Sequence, residues 1–429
     1  MPSVHRVTAR EVLDARAVPT VEADVVLTDG SRGRASVAGG ISRGSFAVEL
    51  RDGGSRFGGM GVTAAVRQVI GTIGPALAGH EAHDQRGVDG LLCALDGTRD
   101  KSALGANATL AVSCAVARAA AASAGRPLHA LLAGDRRPTL PVPQMNVLSG
   151  RGPGASTDVR EFMLMPHGAA SFREALTWCA EIHRCLGSLV RARGWDTAVD
   201  DEGAFAPPLG SNDAAFELLV EAIEAGGLSP GQEVGVGVDI GPVRRPDGLY
   251  DLDGAVHDVD SVTSLYLGWL ERHPLLLIED PLDAEDWAGW TSLTAALGDR
   301  LQLTGDSLFA GRVERLRRGV ADGAANAVLV KPGQIGTLTE TLDTMAWADG
   351  AGYRCTVSHR TGETDDPLIA ELAAATGCGQ IKSGAPVRGE RVAKYNELLR
   401  IEEELGPDAR YGGGTHGVPE GIAPRTEKA

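Results

Sequence analysis

Six ionisable residues each close a short apolar run in the second half of the sequence: VGVGVD at Asp239, LLLIE at Glu279, LQLTGD at Asp306, AVLVK at Lys331, CTVSH at His359 and GQIK at Lys382. Three carboxylates crowded together repel unless a cation sits among them, and hard oxygen donors select magnesium rather than zinc. The alternative is that each acid is solvated or pairs with a nearby basic side chain. A lysine that is partly desolvated and faces such a cation has its pKa depressed, which makes it available as a neutral base. Lys331 and Lys382 are the two candidates. Two earlier acids, Glu161 in VREFMLMP and Glu202 in AVDDEGAFAPP, can donate a proton to a leaving hydroxide, and Gly203 suits a loop whose backbone approaches a ligand closely. Base, metal and acid together describe proton abstraction beside a carboxylate, followed by elimination.

These residues recur at intervals of 23 to 40 positions, and the segments between them, such as SLFAGRVERLRRGVADG, carry helical periodicity and glycine stops. A repeated β-α unit of this kind predicts a (β/α) barrel or an open parallel sheet, with the chemistry at the carboxyl ends of the strands. Upstream the rhythm differs. Residues from about 5 to 60 read as strands broken by glycine turns, and 62 to 133 as helices, which predicts an α+β cap domain. The expected division is a cap over 1–135, an α/β barrel over 136–411 after the proline-rich RRPTLPVP, and a disordered glycine-rich tail over 412–429.

Composition narrows the partners. A formal charge of −16 disfavours nucleic acid, whose binding draws on neutralised phosphates, while leaving room for a small anion held by local cations. No apolar run approaches the roughly 20 residues of a membrane span, and the N-terminus has no signal-peptide plan, so a cytoplasmic protein is expected. Six cysteines without a CxxC pair read as reduced core residues.

The stretches LDARAVPTVEADV, AVELRDG, DGTRDKSALGANATLAVS, DEGAFAP, IEDPLDAEDWAGW, KPGQIGTLTETLD, VSHRTGETDD and GQIKSGAPVRGERVAKYNELLRIEEELG resemble the enolase family over nearly the whole chain. The resemblance implies an α+β cap on a barrel whose first units depart from simple alternation, a homodimer, and two Mg²⁺ ions per site. It implies that Asp239, Glu279 and Asp306 hold the first ion and Ser42 joins the second. It makes Lys331 the base and Glu202, backed by Glu161, the acid. Lys382 would grip the substrate carboxylate, Arg360 and Thr361 the phosphate, and His359 the region of the leaving hydroxyl. Glu22 and Arg400 match positions of an intersubunit ion pair.

Departures cluster around the substrate. A loop histidine of the family is replaced near Pro153, in a shortened loop that carries Arg151; a glutamine becomes Arg160, a threonine Arg43, and an aspartate Ser307. Each change makes the pocket more cationic. Arg160 and Arg43 are therefore expected to bind a more anionic phosphorylated or phosphonylated carboxylate, as in carboxyphosphonoenolpyruvate synthase of phosphonate antibiotic biosynthesis. The alternatives are an ordinary enolase acting on 2-phosphoglycerate, with neutral drift at these positions, and a non-catalytic enolase-fold binding protein.

Overall fold

The computed structural model describes residues 1–40, 47–150 and 157–412; Ser42, Arg43, Arg151 and Pro153 lie outside the described residues. The chain forms two compact units, each discontinuous in sequence. One comprises Met1–Pro138, Val330–Trp347 and Ser358–Thr376, the other Thr139–Leu329, Ala348–Val357 and the chain from Gly377 onward.

In the first unit β1 (Val4–Leu13), β2 (Pro19–Leu27) and β3 (Arg32–Ser36) form an antiparallel sheet. Period-two alternation puts Val21, Ala23, Val25 and Leu27 on one face of β2, where all are buried. The alanine-rich helix Ala106–Ser123 joins the same core. It lies so close to the sheet that a Cβ on Gly33 would stand 2.1 Å from the Ala115 carbonyl oxygen. Strands end at Ser36, short of the expected limit near 60. The later RDGGSRFGG stretch is held by side chains instead: Arg51 Nη1 donates to the carbonyls of Pro19 and Met60, and Asp52 accepts from the backbone of Thr63 and Ala64.

The second architecture is a closed eight-stranded barrel. Its strands are β4 (Val142–Ser149), β5 (Glu161–Met165), β6 (Gly235–Asp239), β9 (Leu275–Glu279), β10 (Gln302–Gly305), β11 (Ala327–Val330), β12 (Arg354–Ser358) and β13 (Gly379–Lys382), with the hairpin β7 (Tyr250–Leu252) and β8 (Ala255–His257) as an excursion after β6. Neighbours run in the order β10-β11-β12-β13-β4-β5-β6-β9. β5 is antiparallel to both β4 and β6, so the barrel opens with a departure from the simple β-α repeat. The helices Phe172–Ala192 after β5 and Val259–Arg272 after β8, and Asn212–Ala225, which follows the first of these, are each started by a Ser or Asp side chain that accepts a first-turn N–H.

Polar side chains fill part of the barrel interior. Gln380 of β13 bonds Gln144 of β4, Gln302 of β10 and Thr356 of β12, all buried. Side chains two residues apart on a strand share a face, so Lys382 points the way Gln380 does. All six cysteines are free thiols. Among the described residues no helix is long and apolar enough to cross a membrane.

Candidate active site

Strand register brings the acids together. Glu161 of β5 pairs with Asp239 of β6, Asp239 pairs with Glu279 of β9, and Glu279 pairs with Thr304 of β10, two residues before Asp306. Four adjacent strands thus deliver four carboxylates to one end of the barrel. Lys382 enters from β13: its Nζ lies 2.7 Å from Glu279 Oε2, 3.0 Å from Glu161 Oε2 and 3.7 Å from Asp239 Oδ2.

The electrostatics follow from burial and crowding. Burial pushes the Glu279 carboxyl well above its ordinary range; Lys382 opposes that shift, and the charges of Asp239, Asp306 and Glu161 add to it. Asp239 is raised for the same reason. Burial alone would lower Lys382, yet Glu161, Glu279 and Asp239 outweigh it and hold the side chain firmly as an ammonium. The depressed pKa expected for Lys382 presupposed a facing cation; with the protein's own groups alone its neighbours are carboxylates, which favour the charged form.

Glu202 sits on a turn after the helix Phe172–Ala192. Asp200 Oδ1 accepts from the backbone N–H of Glu202 and Ala204, fixing the turn, and Asn146 Nδ2 lies 3.3 Å from Glu202 Oε2. Burial, reinforced by the charge of Glu161, raises Glu202 from 4.5 to about 8, so near neutrality it carries a proton. Gly203 serves packing: its φ is +90° and a Cβ there would stand 2.5 Å from Val387 Cγ2.

Asp306 and Ser307 are placed by Asp280, a further acid of the barrel end. Asp280 accepts from the Asp306 N–H at 2.9 Å and from the Ser307 N–H at 2.9 Å. Burial, then Asp306 and Asp239, raise its carboxyl to about 6. The visible signal was its position directly after Glu279.

Arg160 is held at one of its guanidinium nitrogens by backbone. Its Nη2 donates to the Gly241 carbonyl, and a Cβ on Gly241 would collide with the guanidinium. Its backbone N–H donates to Asp239 O at 2.7 Å, and its positive charge favours ionised Asp239. The arginine expected to receive an extra anionic group thus has one nitrogen engaged with backbone beside β6, while its Nε is buried without a hydrogen-bond partner among the described residues.

The remaining candidates belong to the first unit. Lys331 directly follows β11 and is half-buried; His359 and Arg360 follow β12 and are buried, and Thr361 is half-buried. Arg360 Nη1 lies 2.6 Å from Glu49 Oε1, and its backbone N–H donates to Glu363. Glu49 was visible only as part of AVELRDG and had no assigned partner.

Among the described residues no three His, Cys, Asp or Glu side chains form a ready-made metal-holding group. The donor chemistry of Asp239, Glu279 and Asp306 nevertheless suits a hard divalent cation. The donors are all oxygen, and two of the three have carboxyls raised by burial and by mutual repulsion that a cation would relieve.

Residues 4–132 match the model of the enolase N-terminal domain and residues 137–419 that of the enolase C-terminal TIM barrel domain. The enolase of Mycobacterium leprae (strain TN) is 52% identical over 418 residues, which cover 96% of this chain and 97% of the relative. Both matches follow the order of a sheet-bearing N-terminal region and a mixed eight-stranded barrel, and on them the chain belongs to the enolase family.

Proposed function

We propose that the protein is an ordinary enolase, converting 2-phosphoglycerate to phosphoenolpyruvate and water. One observation carries the reading: Lys382 stands among Glu161, Asp239 and Glu279 at the barrel's strand ends, in a chain 52% identical to an enolase along nearly its whole length.

Lys331 takes the proton from the carbon beside the substrate carboxylate, and Lys382 binds that carboxylate as a permanent ammonium. Glu202, protonated near pH 7, gives its proton to the departing hydroxyl of the neighbouring carbon. The C–H pair becomes the new C=C bond, hydroxide leaves as water, and both enzyme groups reset by proton exchange with solvent. Arg360 and Thr361 hold the phosphate, and His359 lies toward the leaving hydroxyl. Membership of the family implies Mg²⁺, which when bound stabilises negative charge developing on the substrate carboxylate. Asp239, Glu279 and Asp306 would hold it; a second ion with Ser42 belongs to the same proposal.

The specialised phosphonate reading gains no support. The 52% identity is to an enolase, and one guanidinium nitrogen of Arg160 is bonded to the Gly241 carbonyl. A cytoplasmic homodimer also belongs to the proposal. In this chain Glu22 is paired with Arg10, and Arg400 lies 2.8 Å from Glu397; sedimentation of the purified protein tests the dimer. The deciding assay for the reaction is phosphoenolpyruvate formation from 2-phosphoglycerate with Mg²⁺, run beside phosphonoformate. No turnover of 2-phosphoglycerate would reject the reading.

A further inference from the structure

Arg360 is held in the first unit by a residue from a distant part of the chain. Glu49 Oε1 lies 2.6 Å from Arg360 Nη1 and also accepts from the Gly40 N–H at 3.0 Å, while Glu49 Oε2 pairs with Arg51. Arg51 is itself fastened: its Nη1 donates to the Pro19 carbonyl at 2.7 Å and to the Met60 carbonyl at 2.8 Å. On its other sides the guanidinium of Arg360 meets backbone. Nη1 lies 3.4 Å from the Gly333 carbonyl, and a Cβ on Gly40 would stand 2.1 Å from Nη2. The Glu49 and Arg360 side chains are both nearly inaccessible to solvent, at 11% and 5% exposure.

Two cations flank one carboxylate, so the Arg51, Glu49, Arg360 triad keeps a net charge of +1. A buried lone arginine loses charge-assisted bonds and its fixed geometry together. Glu49 restores both.

We propose that Glu49 is a positioning residue for Arg360, fixing the guanidinium in the orientation that receives the phosphate of the substrate. The inference rests on the assignment of Arg360 to that phosphate. In this proposal Glu49 meets no reacting atom and acts through Arg360.

Three variants separate geometry from charge. Glu49→Gln keeps an oxygen at the same reach but loses the charge. Glu49→Asp keeps the charge but withdraws the oxygen by one methylene, and it leaves a carboxylate near Arg51, which favours a folded protein. Glu49→Ala removes both. With 2-phosphoglycerate, Glu49→Asp and Glu49→Ala are expected to raise KM about tenfold, with kcat changed less than about threefold, whereas Glu49→Gln stays within about threefold of wild type in KM. Calorimetric titration of the whole protein with inorganic phosphate should weaken in the same order. A role in structure alone would lower Tm without producing this order of KM values, and a role of charge alone would reverse Gln and Asp; either result overturns the proposal. Wild-type protein that fails to turn over 2-phosphoglycerate refutes the proposed reaction. The phosphate titration still decides on Glu49, because equal affinity in wild type and Glu49→Asp, or no phosphate binding at all, counts against it.

Discussion

Lys382 Nζ stands 2.7 Å from Glu279 Oε2, so this ammonium and a deeply buried carboxylate of the barrel end are in direct contact. Each changes the other's titration. Glu279 would be higher still without the lysine, and Lys382 is raised because Glu161 and Asp239 stand with Glu279 around it. The cluster carries more negative than positive charge, which is the physical setting for a divalent cation.

Mg²⁺ is therefore expected to raise the Tm of the wild-type protein, since a ligand at a hundred times its Kd adds about 2.7 kcal/mol of stability. Asp306→Ala should lose most of that shift and all turnover. Full activity in excess chelator is the result that would contradict this.

In the proposed reaction base and acid act in separate steps. Lys331→Ala should abolish exchange of the substrate's α-proton with solvent deuterium, whereas Glu202→Gln should retain exchange and block elimination. NMR of the recovered substrate reads both, and wild-type exchange in Lys331→Ala would remove the lysine from the mechanism.

Glu202 gives a pH signature with a definite sign. The folded protein keeps this proton up to about pH 8, while the unfolded chain releases it near 4.5. Stability without divalent cations therefore declines as pH rises between those values, because the folded state binds the extra proton. Glu202→Gln cannot ionise, so its Tm relative to wild type should climb from about pH 5 to about pH 8. A constant difference across that window would show that Glu202 is not raised.

Arg160→Gln should change KM for 2-phosphoglycerate by less than about threefold, because the guanidinium it removes is bonded to Gly241 O. Wild-type turnover should reach on the order of 10 per second. Slow wild-type turnover, joined to an Arg160→Gln effect on phosphonoformate binding alone, would revive a specialised substrate.

The first unit has its own buried ion cluster. Arg118 lies 2.6 Å from Asp366 Oδ2 and 2.7 Å from Glu371 Oε2, and burial of Asp366 is outweighed by the arginine, which lowers its pKa below 3.8. A depressed carboxylate contributes stability that is present above the unfolded value and lost as pH falls through the folded one. Arg118→Met leaves two buried carboxylates and should cost about 3–5 kcal/mol in urea melts near pH 7. A loss under about 1 kcal/mol would mean that the pair is solvated.

Much of the site could be read from the sequence because it depends on local pattern. An apolar run that ends on a charged residue, repeated with helices between, places Asp239, Glu279, Asp306, Lys331, His359 and Lys382 at or just beyond the ends of barrel strands, and period two fixes which way the strand residues Asp239, Glu279 and Lys382 face. Tertiary structure decided what those charges do to one another. Lys382 is raised rather than lowered because β5, β6 and β9 bring three carboxylates around it, a register that no single segment encodes. Arg160 turns to Gly241, and Arg360 is met by Glu49 from 311 residues away. Residue type supplied the charges; the distances between strands and loops remote in sequence set the sign and partner of each, because Coulomb and hydrogen-bond energies depend on separation in space.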